Sequence, residues 1–185
     1  MYEHVLPVQL GIGMSRKTRR LTLSAMFIAL SVIFLWIASI WPTGQLGLCA
    51  FASLFVAAAV VEMGIVPGIH VFIISAVLGF LILPNKSALL LYILFFGYYP
   101  IAKSIIEKIN LIHLAWILKL ALFNAVLTAI WFFIRGLLPS FSYDIPGADI
   151  LVYLGGNAVF ALFDYGYSKL IRFYNDNVSI YINKG

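Results

Sequence analysis

Six apolar runs, interrupted only by isolated polar or charged positions, dominate this sequence: Leu21–Trp41, Leu46–Val61, Ile69–Leu83, Ser87–Ile109, Leu111–Ile134 and Asp149–Ile171. Most are close to the roughly 20 residues that an α-helix needs to cross about 30 Å of hydrocarbon. A transmembrane barrel would instead alternate apolar and polar residues over segments of about ten. Nothing of that period is present, and the runs are rich in Leu, Ile and Ala. Composition makes the same point: 63% of the residues are hydrophobic and only 10% charged. Soluble domains average roughly 45–50% and about 25%. A water-exposed globule could not hide so much apolar surface. The single Cys49 excludes a disulfide scaffold. The expected fold is an all-α integral membrane protein, six transmembrane helices in a compact bundle, with no room for a soluble catalytic domain.

Residues 1–20 read as a basic N-terminal leader, 21–171 as the transmembrane domain and 172–185 as a polar tail. Met1–Gly13 is too short to span, and no small-x-small site follows the basic cluster, so a cleaved signal is not expected. Pro42, the Gly64–Pro67–Gly68 turn, Pro84 and the Gly136–Ala148 loop separate the runs, and Pro100 is expected to kink the fourth. Of the 12 Lys and Arg residues, nine fall on the side of the N-terminus: Arg16, Lys17, Arg19, Arg20, Lys103, Lys108, Lys169, Arg172 and Lys184. Only Lys86 and Arg135 fall on the other, and Lys119 lies within the fifth run. The positive-inside bias then places both termini in the cytoplasm. It also accounts for the net charge of +5 without nucleic acid, leaving some affinity for anionic lipid.

Catalytic signatures are missing. His4, His70 and His113 match no metal spacing, and there is no GxSxG elbow, Walker loop or Rossmann glycine pattern. The chain is expected not to be an enzyme and to need neither metal nor cofactor.

Polar residues within the runs carry more information, because a charge in hydrocarbon costs at least about 2.5–3.5 kcal/mol. Lys119 and Asp164 lie at similar depth from the cytoplasmic end, roughly 10–12 Å at 1.5 Å per residue. Equal depth and opposite sign predict an ion pair, which either locks helix register or takes part in transport. Lys103 and Glu107 stand four apart and can pair at the interface, where Glu62 caps the preceding cytoplasmic turn. A second polar group sits on the outer side. It comprises Asn85 and Lys86, Tyr92, then Asn124, Thr128 and Trp131 on one helical face, Tyr143 and Asp144 in the loop above, and Asn157. Arg135 follows Trp131 one turn on. These residues could line an outward-facing pocket for a small molecule. The alternative is an aromatic belt with Asn side chains bonding helix to helix.

Ala25 and Ala29 form a small-xxx-small pair on the first run, the kind of face that permits close helix approach in lipid. The basic leader running into that A-x-x-x-A pair (RKTRRLTLSAMFIAL), six spans in 185 residues, termini inside and Pro/Gly/Asn-rich outer loops together resemble one family. It is the substrate-binding S component of energy-coupling factor (ECF) vitamin transporters. The resemblance implies a vitamin-like substrate bound from outside among the outer loops and the last three helices. It implies docking through Ala25 and Ala29 on a transmembrane coupling subunit joined to two ATPase subunits, in a bacterial inner membrane. The stretch LPNKSALLLYILFFGYYPIAKS departs from the S-component subfamilies. A non-catalytic structural or interaction protein of a cell-envelope complex accounts for the same spans without a ligand. A secondary transporter would call for internal repeats and broken midplane helices, of which Pro100 is the one sign.

Overall fold

The computed structural model describes residues 16–109, 111–137, 148–174 and 176, and among them there is no strand. Helix α1 covers Arg16–Ile40. A short 3-10 turn, Pro42–Gly44, leads into α2, Gln45–Met63, and α3 covers Ile65–Ile82. The fourth run folds as α4 (Ser87–Leu91), a π-helical turn (Tyr92–Phe96) and α5 (Tyr99–Ile106). Two long helices complete the bundle, α6 (Ile112–Leu137) and α7 (Ala148–Tyr174).

Five segments are long and apolar enough to cross a membrane: Lys17–Ile40, Pro42–Met63, Ile65–Ile82, Ser87–Ile106 and His113–Phe132. Large apolar side chains such as Leu21, Trp36, Val66, Phe80, Ile117 and Leu162 face outward from the bundle. Such a surface is stable only against lipid. The chain is an α-helical multi-pass membrane protein. Helix α7 covers the sixth expected run but is not one of these five segments; it carries Asp164, Lys169 and Arg172.

Three boundaries depart from the sequence reading. α1 starts at Arg16, so the basic residues expected in a leader form its first turns. The turn between α2 and α3 shrinks to Gly64, whose φ of 97° favours glycine. Pro67 then falls in the first turn of α3, where its missing N–H removes no helical bond. The third departure is the break in the fourth run. Pro100 cannot donate to the carbonyl of Phe96 and its ring would clash there. The backbone resolves this upstream with a wide turn, Gly97 N–H donating to Tyr92 O at 2.7 Å, and restarts when Ile101 and Ala102 bond to Tyr98 O at 3.0 Å. A side chain on Gly97 would meet the Phe72 ring at 2.4 Å, so α3 packs closely against the break.

α2 is the central helix, touching α1, α3, α5 and α7. Its buried residues are small: Cys49, Ala52, Ser53, Val56, Ala57, Ala58 and Ala59. Small side chains on several faces let neighbours pack closely where no hydrophobic force favours helix association. Hydroxyls tie the helices together at depth. Ser31 donates to Ala52 O at 3.1 Å, Ser75 pairs with the Tyr92 hydroxyl at 2.9 Å, and Tyr167 donates to Ser53 O at 2.9 Å.

Candidate functional site

At the end of the bundle away from the α1 N-terminus, the residues expected to form a polar pocket mostly bond to the protein itself. Asn124 and Asn157 exchange amide hydrogen bonds at 2.9 and 3.0 Å across α6 and α7. Each amide nitrogen also donates one turn back, to Leu120 O and Tyr153 O, both at 2.8 Å. Thr128 pairs with the Tyr153 hydroxyl at 2.7 Å. Tyr92 is fully buried, hydrogen-bonded to Ser75 and packed on Phe72. Asn85 Oδ1 accepts from the Ser87 N–H at 2.9 Å, and Lys86 donates to Phe80 O and Leu83 O. Trp131 is half-buried on α6, which also carries Arg135, while Tyr143 and Asp144 lie outside the described residues.

The space at that end is apolar. A cavity of about 440 Å³ lies at that end between the start of α2, the π-helical turn, α6 and α7. Its walls include Phe95, Phe96, Phe123, Phe160, Phe163 and Leu127, with none of Asn85, Lys86, Tyr92, Asn124, Thr128, Trp131 or Asn157 among them. Gly47 and Ala50 of α2 leave the room, and Gly47 has no atom within 4 Å of where a Cβ would stand. Phe123 and Phe160 stack at 4.6 Å, and Phe95 meets Phe96, Phe123, Phe160 and Phe163 with ring centroids 5.3–6.0 Å apart. Phe95 and Phe96 both belong to the π-helical turn, so the break in the fourth run is what supplies part of the aromatic wall.

Tyr99 connects this wall to a charged cluster. Its ring packs 5.1 Å from Phe95, and its hydroxyl donates to Asp164 Oδ1. Asp164, 2% exposed, also receives Lys103 on Oδ1 and Lys119 on Oδ2, the latter at 3.2 Å. The pairing of Lys119 with Asp164 expected from depth is thus observed. Glu107 Oε1 takes the same two ammonium groups, Lys103 at 2.9 Å and Lys119 at 2.7 Å. Lys103 completes its donors on Ser168 Oγ at 2.8 Å. The Lys103–Glu107 pair expected from their spacing is present, but Lys103 is buried in the cluster rather than solvated at the interface. Spacing shows the shared face, if not the height: Tyr99 and Lys103 on α5 and Glu107 at its C-cap repeat every four residues, as Asp164 and Ser168 do on α7.

Glu107 lies just beyond the membrane-crossing part of α5. Partial burial opposes its ionisation, but hydrogen bonds from Lys119 and Lys103 outweigh burial and hold its carboxyl below the usual carboxylate range. A depressed folded-state value means the stabilisation is complete above the unfolded value, about 4.3, and is lost as acid titrates the folded carboxyl. Melting in detergent is therefore expected to be flat in pH near neutrality and to fall below about pH 4. Glu107→Gln should remove part of that acid limb. Its effect should be small, because the side chain is 48% exposed and solvent-screened.

Ala25 and Ala29 are exposed on α1, in line with Leu21 and Ile33. Among the described residues no group of three or more His, Cys, Asp or Glu side chains could hold a metal. The chain matches no protein-family model, no curated protein and no solved structure.

Proposed function

We propose that this chain is a non-catalytic membrane subunit that captures a small apolar molecule, in the manner of an ECF S component, and delivers it through a separate energised partner. The apolar cavity among α2, α6, α7 and the π-helical turn carries this reading. Its size falls within the ~300–1,000 Å³ of ordinary ligand pockets. Five phenylalanine rings suit a flat or hydrocarbon-rich guest, and no hydrogen-bonding wall suits a charged one. The guest class therefore differs from the polar, vitamin-like molecule that the outer Asn, Thr and Tyr residues suggested. The reading also takes both termini as cytoplasmic in a bacterial inner membrane, on the strength of the Lys and Arg distribution, and α1 as the helix that docks on a coupling subunit.

Native mass spectrometry of the protein purified from its own host tests capture directly, followed by melting with the recovered molecule. Binding to the folded form raises stability by RT ln(1 + [L]/Kd), about 2.7 kcal/mol at a hundredfold excess over Kd. Gly47 lines the cavity and has open space where a Cβ would stand, so Gly47→Trp should occupy the cavity and abolish the ligand-induced shift, with unliganded melting as the check on the fold. A shift that survives Gly47→Trp places the guest elsewhere. Absence of any co-purifying molecule favours the structural-protein reading.

A further inference from the structure

The opposite, basic end of the bundle holds a second cavity, of about 470 Å³, lined by Val61, Lys103, Glu107, Ser168, Ile171 and Arg172. Two of these walls, Val61 and Ile171, are shared with an apolar trough of about 340 Å³ running between α1, α2 and α7. The trough takes Met26 and Leu30 from α1, Phe55 from α2 and Tyr174 from α7. A polar chamber therefore opens onto a hydrocarbon channel along one side of the molecule.

The charges of the chamber do not cancel. Lys103 and Lys119 are matched by Asp164 and Glu107. Arg172 is the surplus: it is exposed into the chamber and has no hydrogen bond or ion pair among the described residues. A second guanidinium at this end has an unsatisfied nitrogen. Arg19 Nη2 is the one buried side-chain polar atom without a partner among the described residues. Arg19 precedes Met26 by seven positions and Leu30 by eleven, so it shares their face of α1, two turns closer to the basic end than the trough wall at Met26. Guanidinium groups match phosphate geometry with two parallel hydrogen bonds.

We infer that an acidic phospholipid occupies this end of the bundle, with its phosphate on Arg172 in the polar chamber and an acyl chain in the trough between α1, α2 and α7. Arg19, on the same face of α1 two turns nearer the helix N-terminus than Met26, adds a second positive charge at this end. The inference does not depend on the guest cavity at the other end, which shares no wall residue with the chamber.

The test is native mass spectrometry of the full-length protein released from mixed micelles holding equal phosphatidylglycerol and phosphatidylcholine. The wild type is expected to keep phosphatidylglycerol selectively. Arg172→Gln and Arg19→Gln should each lower that selectivity about fivefold, with Arg172→Lys falling between wild type and Gln. Ile171→Trp, which narrows the junction of chamber and trough while leaving every charge in place, should lose the adduct. Equal retention of the two lipids overturns the proposal, and so does selectivity unchanged in both Gln variants. Displacement of the adduct by millimolar inorganic phosphate would overturn the lipid as the source of the phosphate.

Discussion

Asp164→Asn is expected to produce the largest loss of stability of any single substitution in the polar network, about 3–5 kcal/mol. The carboxylate sits at the junction of α5, α6 and α7 and receives Tyr99, Lys103 and Lys119. Asparagine keeps the shape and one acceptor but not the charge, so two ammonium groups, 2% and 5% exposed, are left with Glu107 alone. An uncompensated buried charge is far costlier than a missing pair. Lys119→Met should therefore be milder, because Asp164 keeps Lys103 and Tyr99. Adding Lys119→Met to Asp164→Asn should recover part of the loss by removing one stranded cation. The measurement is the apparent melting temperature in detergent, with single and double variants compared as a cycle. Wild-type melting of Asp164→Asn would mean that water already solvates the cluster, and the description of these lysines as buried would fail.

This cluster also shows which parts of the fold the sequence carries. Helix positions were legible because hydropathy sums locally, residue by residue: the run at Leu111–Ile134 became α6 with small changes at its ends, and that at Leu21–Trp41 became α1 with its start moved back to Arg16. The Lys119–Asp164 contact was legible because depth along a helix is arithmetic. Lys103 was not placed in the cluster, because its height depends on the wide turn at Tyr92–Phe96, which answers to Pro100 and to the close approach of Phe72 on Gly97. The face shared by Asn124 and Thr128 was legible from spacing, but its partner was not. Whether a polar face meets a guest or another helix is decided by packing, and here Asn157 and Tyr153 meet it. The apolar cavity left no trace at all. Phe95, Phe123, Phe160 and Phe163 are ordinary membrane-helix residues until three helices bring them around one space.

Under the proposed function, Ala25→Trp and Ala29→Trp should each abolish uptake in cells while leaving guest binding by the solitary protein unchanged. Leu21, Ala25, Ala29 and Ile33 repeat every four residues and form one outward ridge of α1, with Leu21 72% and Ile33 52% exposed. The two alanines make a shallow dip between larger neighbours. A dip lets a partner helix approach closely, and in lipid that contact, with no hydrophobic term to replace it, is what drives association. An indole there would hold the partner away without touching the core residues of the same helix, Phe27, Ser31 and Leu35, which face the other way. The host fold and the cavity between α2 and α7 should be indifferent to it. Two readouts separate the possibilities. Uptake measures docking, and ligand-induced thermal stabilisation of the purified protein measures capture. Loss of both would mean that α1 shapes the cavity itself, and loss of neither would remove α1 as the docking helix. Loss of uptake alone, reversed by Ala25→Ser, whose side chain is small enough to keep the dip, is the outcome a coupled capture subunit requires.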